Sequence, residues 1–207
     1  DKFDVAGHSI CACTSCSHQF ANIIPGKDHV AEQFPDEYLF SGGTSGYQDY
    51  LSSAKLVRKG AERYTKIVNR HCKRSRDAAG IRVLDVGCAA GFVMQGFKQS
   101  GWIASGIDPN QTMVEESRAN GFIARCATLE SVFDEKSLTE RTDECFDLIS
   151  MIQVVAHLSD LTKATSNLRR LLRADGFVLV ETWDSASFTA KILGERWHEY
   201  SPPNVLH

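Results

Sequence analysis

The spacing of apolar positions along the chain changes near residue 80, and that change divides the sequence. Tyr47, Tyr50, Leu51, Ala54, Val57, Ala61, Tyr64 and Val68 recur three and four residues apart, the period of one helical face. This predicts a helix, or a pair of helices meeting near Gly60, as a lead-in to the main domain. Beyond residue 80, short apolar runs alternate with helical stretches, the mark of βαβ units and a parallel sheet. Strands are expected at 81–86, 102–108, 122–126, 146–152 and 177–183, with helices over 92–100, 112–119 and 161–172. The last helix places Leu161, Ala164, Leu168, Leu171 and Leu172 on one face; a left-handed glycine cap near Asp175-Gly176 is expected to close it. The predicted fold is an α/β three-layer sandwich with a mostly parallel sheet.

Residues 1–25 carry three cysteines and end at Pro25-Gly26, so they are expected to form a small, separately organised element. Residues 26–80 combine a loop-like stretch, with its Ser/Gly tract at 41–46, and the helical lead-in; residues 81–207 form the main domain. A length of 207 residues suits one α/β domain with such an appendage and excludes two large domains.

The net charge of −3 gives no global attraction to nucleic acid or membrane. A local basic run does exist, from Lys55 through Arg63, Arg70 and Arg76 to Arg82; it reads as a solvated helix face or as an attractor of a phosphate-bearing partner. No apolar run approaches the roughly 20 residues that span a bilayer, and DKFDVAGHSI is not patterned as a signal peptide, so a cytoplasmic location is expected. Seven cysteines, an odd number scattered along the chain, do not form the regular framework of a secreted disulfide protein.

The chemistry concentrates in VLDVGCAAGF, residues 83–92. Gly87 and Gly91 allow a tight turn between strand and helix and a close approach of backbone to ligand, with free helix amides beyond. Dinucleotide-binding folds use a similar turn. Asp85, two residues before the first glycine, tilts the reading, because a carboxylate there repels a pyrophosphate and suits a cationic ligand. At the end of the second strand, Asp108 in GIDPN can accept both ribose hydroxyls of a nucleoside.

VLDVGCAAG and GIDPN together resemble the first two motifs of the class I S-adenosylmethionine-dependent methyltransferases, which have a Rossmann-like sheet. ARCATLESV at 124–132, FDLISMIQVVAHLSD at 146–160 and LRRLLRADGFVLVETWD at 168–184 extend the resemblance over most of 47–200. It implies S-adenosylmethionine as cofactor and S-adenosylhomocysteine as product. By this likeness Asp85, Gly87, Cys88, Ala89, Gly91 and Phe92 surround the methionine end, and Asp108 with Pro109 the ribose. Thr128 and Leu129 would face the adenine, Gln153 the inner face of the cofactor, and Tyr47 of the lead-in would close over it. The family often has glycine where Ala89 stands. Its final antiparallel hairpin is missing here, which implies a C-terminally shortened sheet with an open edge.

Methyl transfer from a sulfonium is an in-line displacement, so positioning in a dry site is the main demand on the protein. His157, in the loop after the fourth strand, is the candidate general base for a hydroxyl or amine acceptor; a role in capping or packing is the alternative. Trp183, Trp197, Tyr200 and His207 are candidates for the acceptor pocket, with plain packing as the alternative for the aromatic residues. The resemblance implies a small-molecule or glycan-type acceptor. The rival readings are an RNA or protein methyltransferase and a cofactor-binding module without catalysis. CACTSCSHQFANIIP resembles the latter half of a small zinc ribbon, which would make Cys13 and Cys16 two ligands of a zinc site; reduced free thiols are the alternative.

Overall fold

The computed structural model describes residues 3–26, 29–36, 50–71, 80–134 and 145–207. Tyr47 and Cys72 lie outside these residues. Strands β4 (Arg82–Val86), β5 (Ile103–Asp108), β6 (Ile123–Cys126), β7 (Phe146–Ile152) and β8 (Leu172–Glu181) form one sheet in the order β6-β5-β4-β7-β8. Every pairing in it is parallel. Helices α3 (Phe92–Gln99), α4 (Gln111–Ala119) and α5 (Leu161–Leu171) connect them, and α6 (Phe188–Leu193) follows the last strand. This is the expected Rossmann-like sandwich.

The strands form where apolar runs can be covered on both faces. One core cluster gathers Leu84, Val86, Ile107, Ile149 and Met151 beneath Ala164 and Leu171 of α5. A second joins Val83, Leu148, Phe97 and Trp102 to Ala61, Tyr64 and Val68 of helix α2 (Ala54–His71). That helix runs unbroken through Gly60, preceded by a 3-10 turn at Leu51–Ser53, so the lead-in is not two helices. Its buried Ala61 meets Gly96 of α3, where an added Cβ would collide with the Ala61 side chain. Gly96→Ala is therefore expected to lower the unfolding free energy by about 1–3 kcal/mol through overpacking, as read by denaturant midpoint.

Two expectations about the last crossover fail. Leu172, the residue after α5, is already extended at φ −90° and ψ 138°, and it pairs with Phe146 as the first residue of β8. Gly176 lies inside the strand rather than in a helix cap. A register shift between Phe146 and Leu148 absorbs the extra residues, as a bulge does. Among the described residues no strand pairs beyond β8, and Phe177, Val178 and Val180 on it are partly exposed.

Residues 1–25 contain strands β1 (Phe3–Val5), β2 (His8–Ala12) and β3 (Gln19–Ala21), an antiparallel sheet. The next stretch is not wholly loop, since helix α1 covers His29–Gln33. The small sheet leans on the end of the chain: the Ala21 amide donates to the Leu206 carbonyl at 2.9 Å, Tyr200 Oη donates to Gln19 Oε1 at 2.7 Å, and Phe3 packs edge-on against Tyr200. No helix among the described residues is long and apolar enough to cross a membrane.

Candidate functional site

The carboxyl ends of β4, β5 and β7 open into a cavity of about 1310 Å³, walled on its far side by β2, β3, α1 and the segment 197–207. Ligands of open α/β sheets bind at this position. The turn after β4 is fixed by amides of Gly87 and Cys88 donating to the Ile107 carbonyl at 2.8 and 3.0 Å. Gly87 has φ +72°, and a Cβ there would lie 2.5 Å from Val154 Cγ2, so this position requires glycine. Ala89 takes φ +42° with its methyl group in place.

Asp108 closes this turn. Its Oδ2 accepts from the Ala89 amide at 2.8 Å and its Oδ1 from the Asn110 amide at 2.9 Å. Burial nevertheless raises it to a pKa of about 6, against the lowering effect of the two amides. Asp85 is buried at 2% exposure and accepts from Ser150 Oγ at 2.6 Å. Burial lifts it to about 7, opposed by the Ser150 bond and reinforced by Asp108. Both acids line the cavity, whose wall carries no lysine or arginine among the described residues. Two buried carboxylates without a cationic neighbour are left for a cationic ligand to balance.

A carboxyl whose folded-state value is raised binds its proton more tightly in the native state, so the protein without ligand is expected to lose stability as pH rises from about 4 to 7. A ligand cation that needs ionised Asp85 should then bind more weakly as pH falls, roughly tenfold per unit below about 7 for one linked proton. Calorimetric titrations at pH values of about 5.5, 6.5 and 8 read this directly.

Cys88, Ala89, Pro109, Thr128, Leu129, Gln153 and His157 also line the cavity. The loop 128–131 is held by Asn167 Nδ2, which donates to the Leu129 and Glu130 carbonyls at 2.9 and 3.0 Å. Gln153 sits at φ +58°, its amide donating to the Glu181 carbonyl at 2.8 Å. Gly91 and Phe92 are not on the wall. Gly91, at φ +82°, packs against Ser117 and Phe122, and buried Phe92 stacks on Tyr50 with Arg58 over its ring. These two support the turn from behind.

His157 Nδ1 lies 2.6 Å from the Asn204 carbonyl. A carbonyl only accepts, so Nδ1 carries the proton and Nε2 of the neutral ring is the basic atom. Burial holds the imidazole below its ordinary value, although the carbonyls of Asn204 and Gln153 favour the protonated form. Trp183, Trp197, Tyr200 and His207 all reach the same cavity. Trp197 is buried and meets Tyr200 edge-on, whereas Trp183 is 56% exposed. Cys13 and Cys16 are free thiols, and among the described residues no three metal-ligating side chains converge. The basic residues of α2 are absent from the wall, and Arg63 pairs with Glu181 at 2.7 Å.

Several contributors carry no sequence signal that singles them out. Ser150 is one residue in an apolar strand, and Glu130 accepts from the Ser159 amide at 2.8 Å while its buried Oε2 has no partner among the described residues. Asn110 was open to detection, since a polar residue after a strand and before a helix is a natural cap; its Oδ1 accepts from the Met113 amide at 2.9 Å.

A parallel sheet with a glycine turn at its centre, an acid at the end of the next strand and a cavity between them defines a nucleoside-binding α/β fold. The family described as a methyltransferase domain matches residues 56–205. The chain belongs to that family, and so to the class I S-adenosylmethionine-dependent methyltransferases. It is 27% identical over 136 residues to the ubiquinone biosynthesis O-methyltransferase of Rhodopseudomonas palustris, covering 62% of this chain and 51% of that protein. The Bradyrhizobium enzyme of the same name is 28% identical over 149 residues, covering 64% and 56%. The chain thus spans about half the length of the curated relatives it matches. Among solved structures, an S-adenosylmethionine-dependent methyltransferase from Archaeoglobus fulgidus superposes with a TM-score of 0.55 at 20% identity, covering 75% of this chain and 62% of that one. DesVI of Streptomyces venezuelae gives 0.50 at 21%, covering 65% and 54%. At these identities the likeness shows the fold.

Proposed function

We propose that the protein transfers a methyl group from S-adenosylmethionine to a hydroxyl of a small organic acceptor, with His157 as general base. The observation that carries this reading is the wall of one cavity: it holds two buried carboxylates and no described lysine or arginine, together with a neutral imidazole of defined tautomer.

The residues fit the cofactor. The Gly87 turn offers backbone in place of side chain, and Asp108, although engaged by two amides, keeps lone pairs on both oxygens for ribose hydroxyls. The orphaned Glu130 Oε2, beside Thr128 and Leu129, is an acceptor that an exocyclic amine would satisfy. Asp85 supplies the countercharge for the methionine end. The bound sulfonium supplies an electrophilic methyl group. What this chain adds is orientation, exclusion of water by β2, β3 and the segment 197–207, and a place for the acceptor proton on His157 Nε2.

The oxygen acceptor is supported by the ubiquinone biosynthesis O-methyltransferase relatives and by the neutral histidine. A small acceptor, whether a phenol-like ring or an uncharged sugar, is supported by a wall built largely of aromatic and apolar groups. The test supplies methyl-labelled S-adenosylmethionine with phenolic compounds, free saccharides, RNA and peptides in parallel. Label is expected in the hydroxylated small molecules; label in RNA or peptide alone would overturn the reading.

A further inference from the structure

We propose that His29 is a positioning residue: by holding the Pro203 carbonyl it fixes the turn whose next carbonyl selects the tautomer of His157. The inference rests on the reading of His157 as the base.

His29 is 7% exposed, and its Nε2 lies 3.1 Å from the Pro203 carbonyl oxygen. Because that oxygen only accepts, Nε2 donates. The same peptide unit is held at its other end, where the Asn204 amide donates to the Ser201 carbonyl at 3.0 Å. With both ends of the Pro203–Asn204 peptide plane secured, the Asn204 carbonyl is presented to His157 Nδ1 at 2.6 Å. The amide after it, of Val205, returns to the Ser201 carbonyl at 3.2 Å. Further along, the Leu206 and His207 amides donate to the Ala156 carbonyl at 2.8 and 3.2 Å, so the strap also lies against the backbone beside His157.

The arrangement gives a role to a buried histidine in a five-residue helix on the cavity wall. A buried imidazole without a hydrogen-bond partner would be costly, and here the bond is spent on a backbone carbonyl rather than on solvent. Two imidazoles thus donate into consecutive carbonyls, one as the anchor and one as the reacting group. Other ionisable groups on the cavity wall include Glu130, His18, His207, His198 and Glu199, besides Asp85, Asp108 and Asp184. His207 Nε2 is held by the Leu158 carbonyl at 3.1 Å and its Nδ1 lies 3.4 Å from His18 Nε2.

The test reads His157 itself and needs no acceptor. Proton–nitrogen correlation of histidine-labelled full chain, with and without S-adenosylhomocysteine, reports tautomer and titration of each ring. In the wild type His157 is expected to titrate below the ordinary imidazole value as the Nδ1–H form. His29→Leu keeps the bulk and removes the donor; it should mix the tautomers and, because the Asn204 carbonyl favours the protonated ring, move the His157 midpoint further down. His29→Gln keeps an amide donor and should restore the wild-type pattern at least in part. Wild-type tautomer and midpoint in a folded His29→Leu protein would overturn the proposal. So would disruption in His29→Gln with none in His29→Leu, which would mean that bulk alone matters. Should His29→Leu not fold, an undisturbed His157 in folded His29→Asn, whose shorter side chain withdraws the donor, would overturn it, and a mixed tautomer there would support it. Methyl transfer unaffected by His157→Gln would sink the base reading separately, leaving the tautomer result to stand.

Discussion

Asp108→Ala is expected to lower the affinity for S-adenosylhomocysteine at least about a hundredfold, since it removes a charged acceptor from two hydrogen bonds, each worth about 1.5–3 kcal/mol. The loss has two sources. The carboxylate would no longer face the ribose hydroxyls, and the Ala89 and Asn110 amides, which donate to it at 2.8 and 2.9 Å, would lose their partner and release the glycine turn. Asp108→Asn separates these sources, because one amide oxygen can still accept while the charge is gone; an intermediate loss is expected. The checking measurement is titration calorimetry, with thermal unfolding to confirm that the variant is folded. Undiminished affinity in Asp108→Ala would remove this residue from the site.

His157→Gln is expected to reduce turnover by about 10²–10⁴, the usual contribution of a positioned base, with S-adenosylhomocysteine affinity unchanged. Binding survives because the cofactor contacts proposed for Asp85, Asp108 and the loop at Thr128 do not include the imidazole. The pH profile gives a second reading. Burial holds His157 below its ordinary value, so the ring is neutral and able to take a proton at about pH 7. With S-adenosylmethionine kept saturating, so that the Asp85 linkage does not enter, the wild-type rate should therefore fall only below the ordinary imidazole range, and the variant should lack that acidic limb. Single-turnover kinetics with a methyl acceptor checks both. A rate within a few-fold of wild type would make His157 a packing residue.

The sheet was legible because β4, β5, β6 and β7 are apolar runs of strand length set between helical periods, and the turn because Asp85, Gly87 and Asp108 keep their spacing from those strands. What escaped is local competition and distance. In LRRLLRADGF the helical period of Leu168, Leu171 and Leu172 continues smoothly toward a glycine, and only pairing with Phe146 pulls Leu172 into β8. Gly91 and Phe92 sit in the motif yet face inward, since a turn signature does not say which residue touches ligand and which packs beneath. The Ser150–Asp85 bond spans 65 positions, and the His29–Pro203 contact 174. Neither has a periodic signal, because each depends on how the finished layers meet. The small sheet β1–β3 was hidden by the brevity of its strands and by the cysteines around it.

The most direct measurement is a pair of calorimetric titrations of the full chain at about pH 8, where both raised carboxyls are ionised, one with S-adenosylmethionine and one with NAD. Two buried acids on a cavity wall without described lysine or arginine predict saturable binding of the first and none of the second. Binding of NAD that S-adenosylmethionine fails to displace would contradict it.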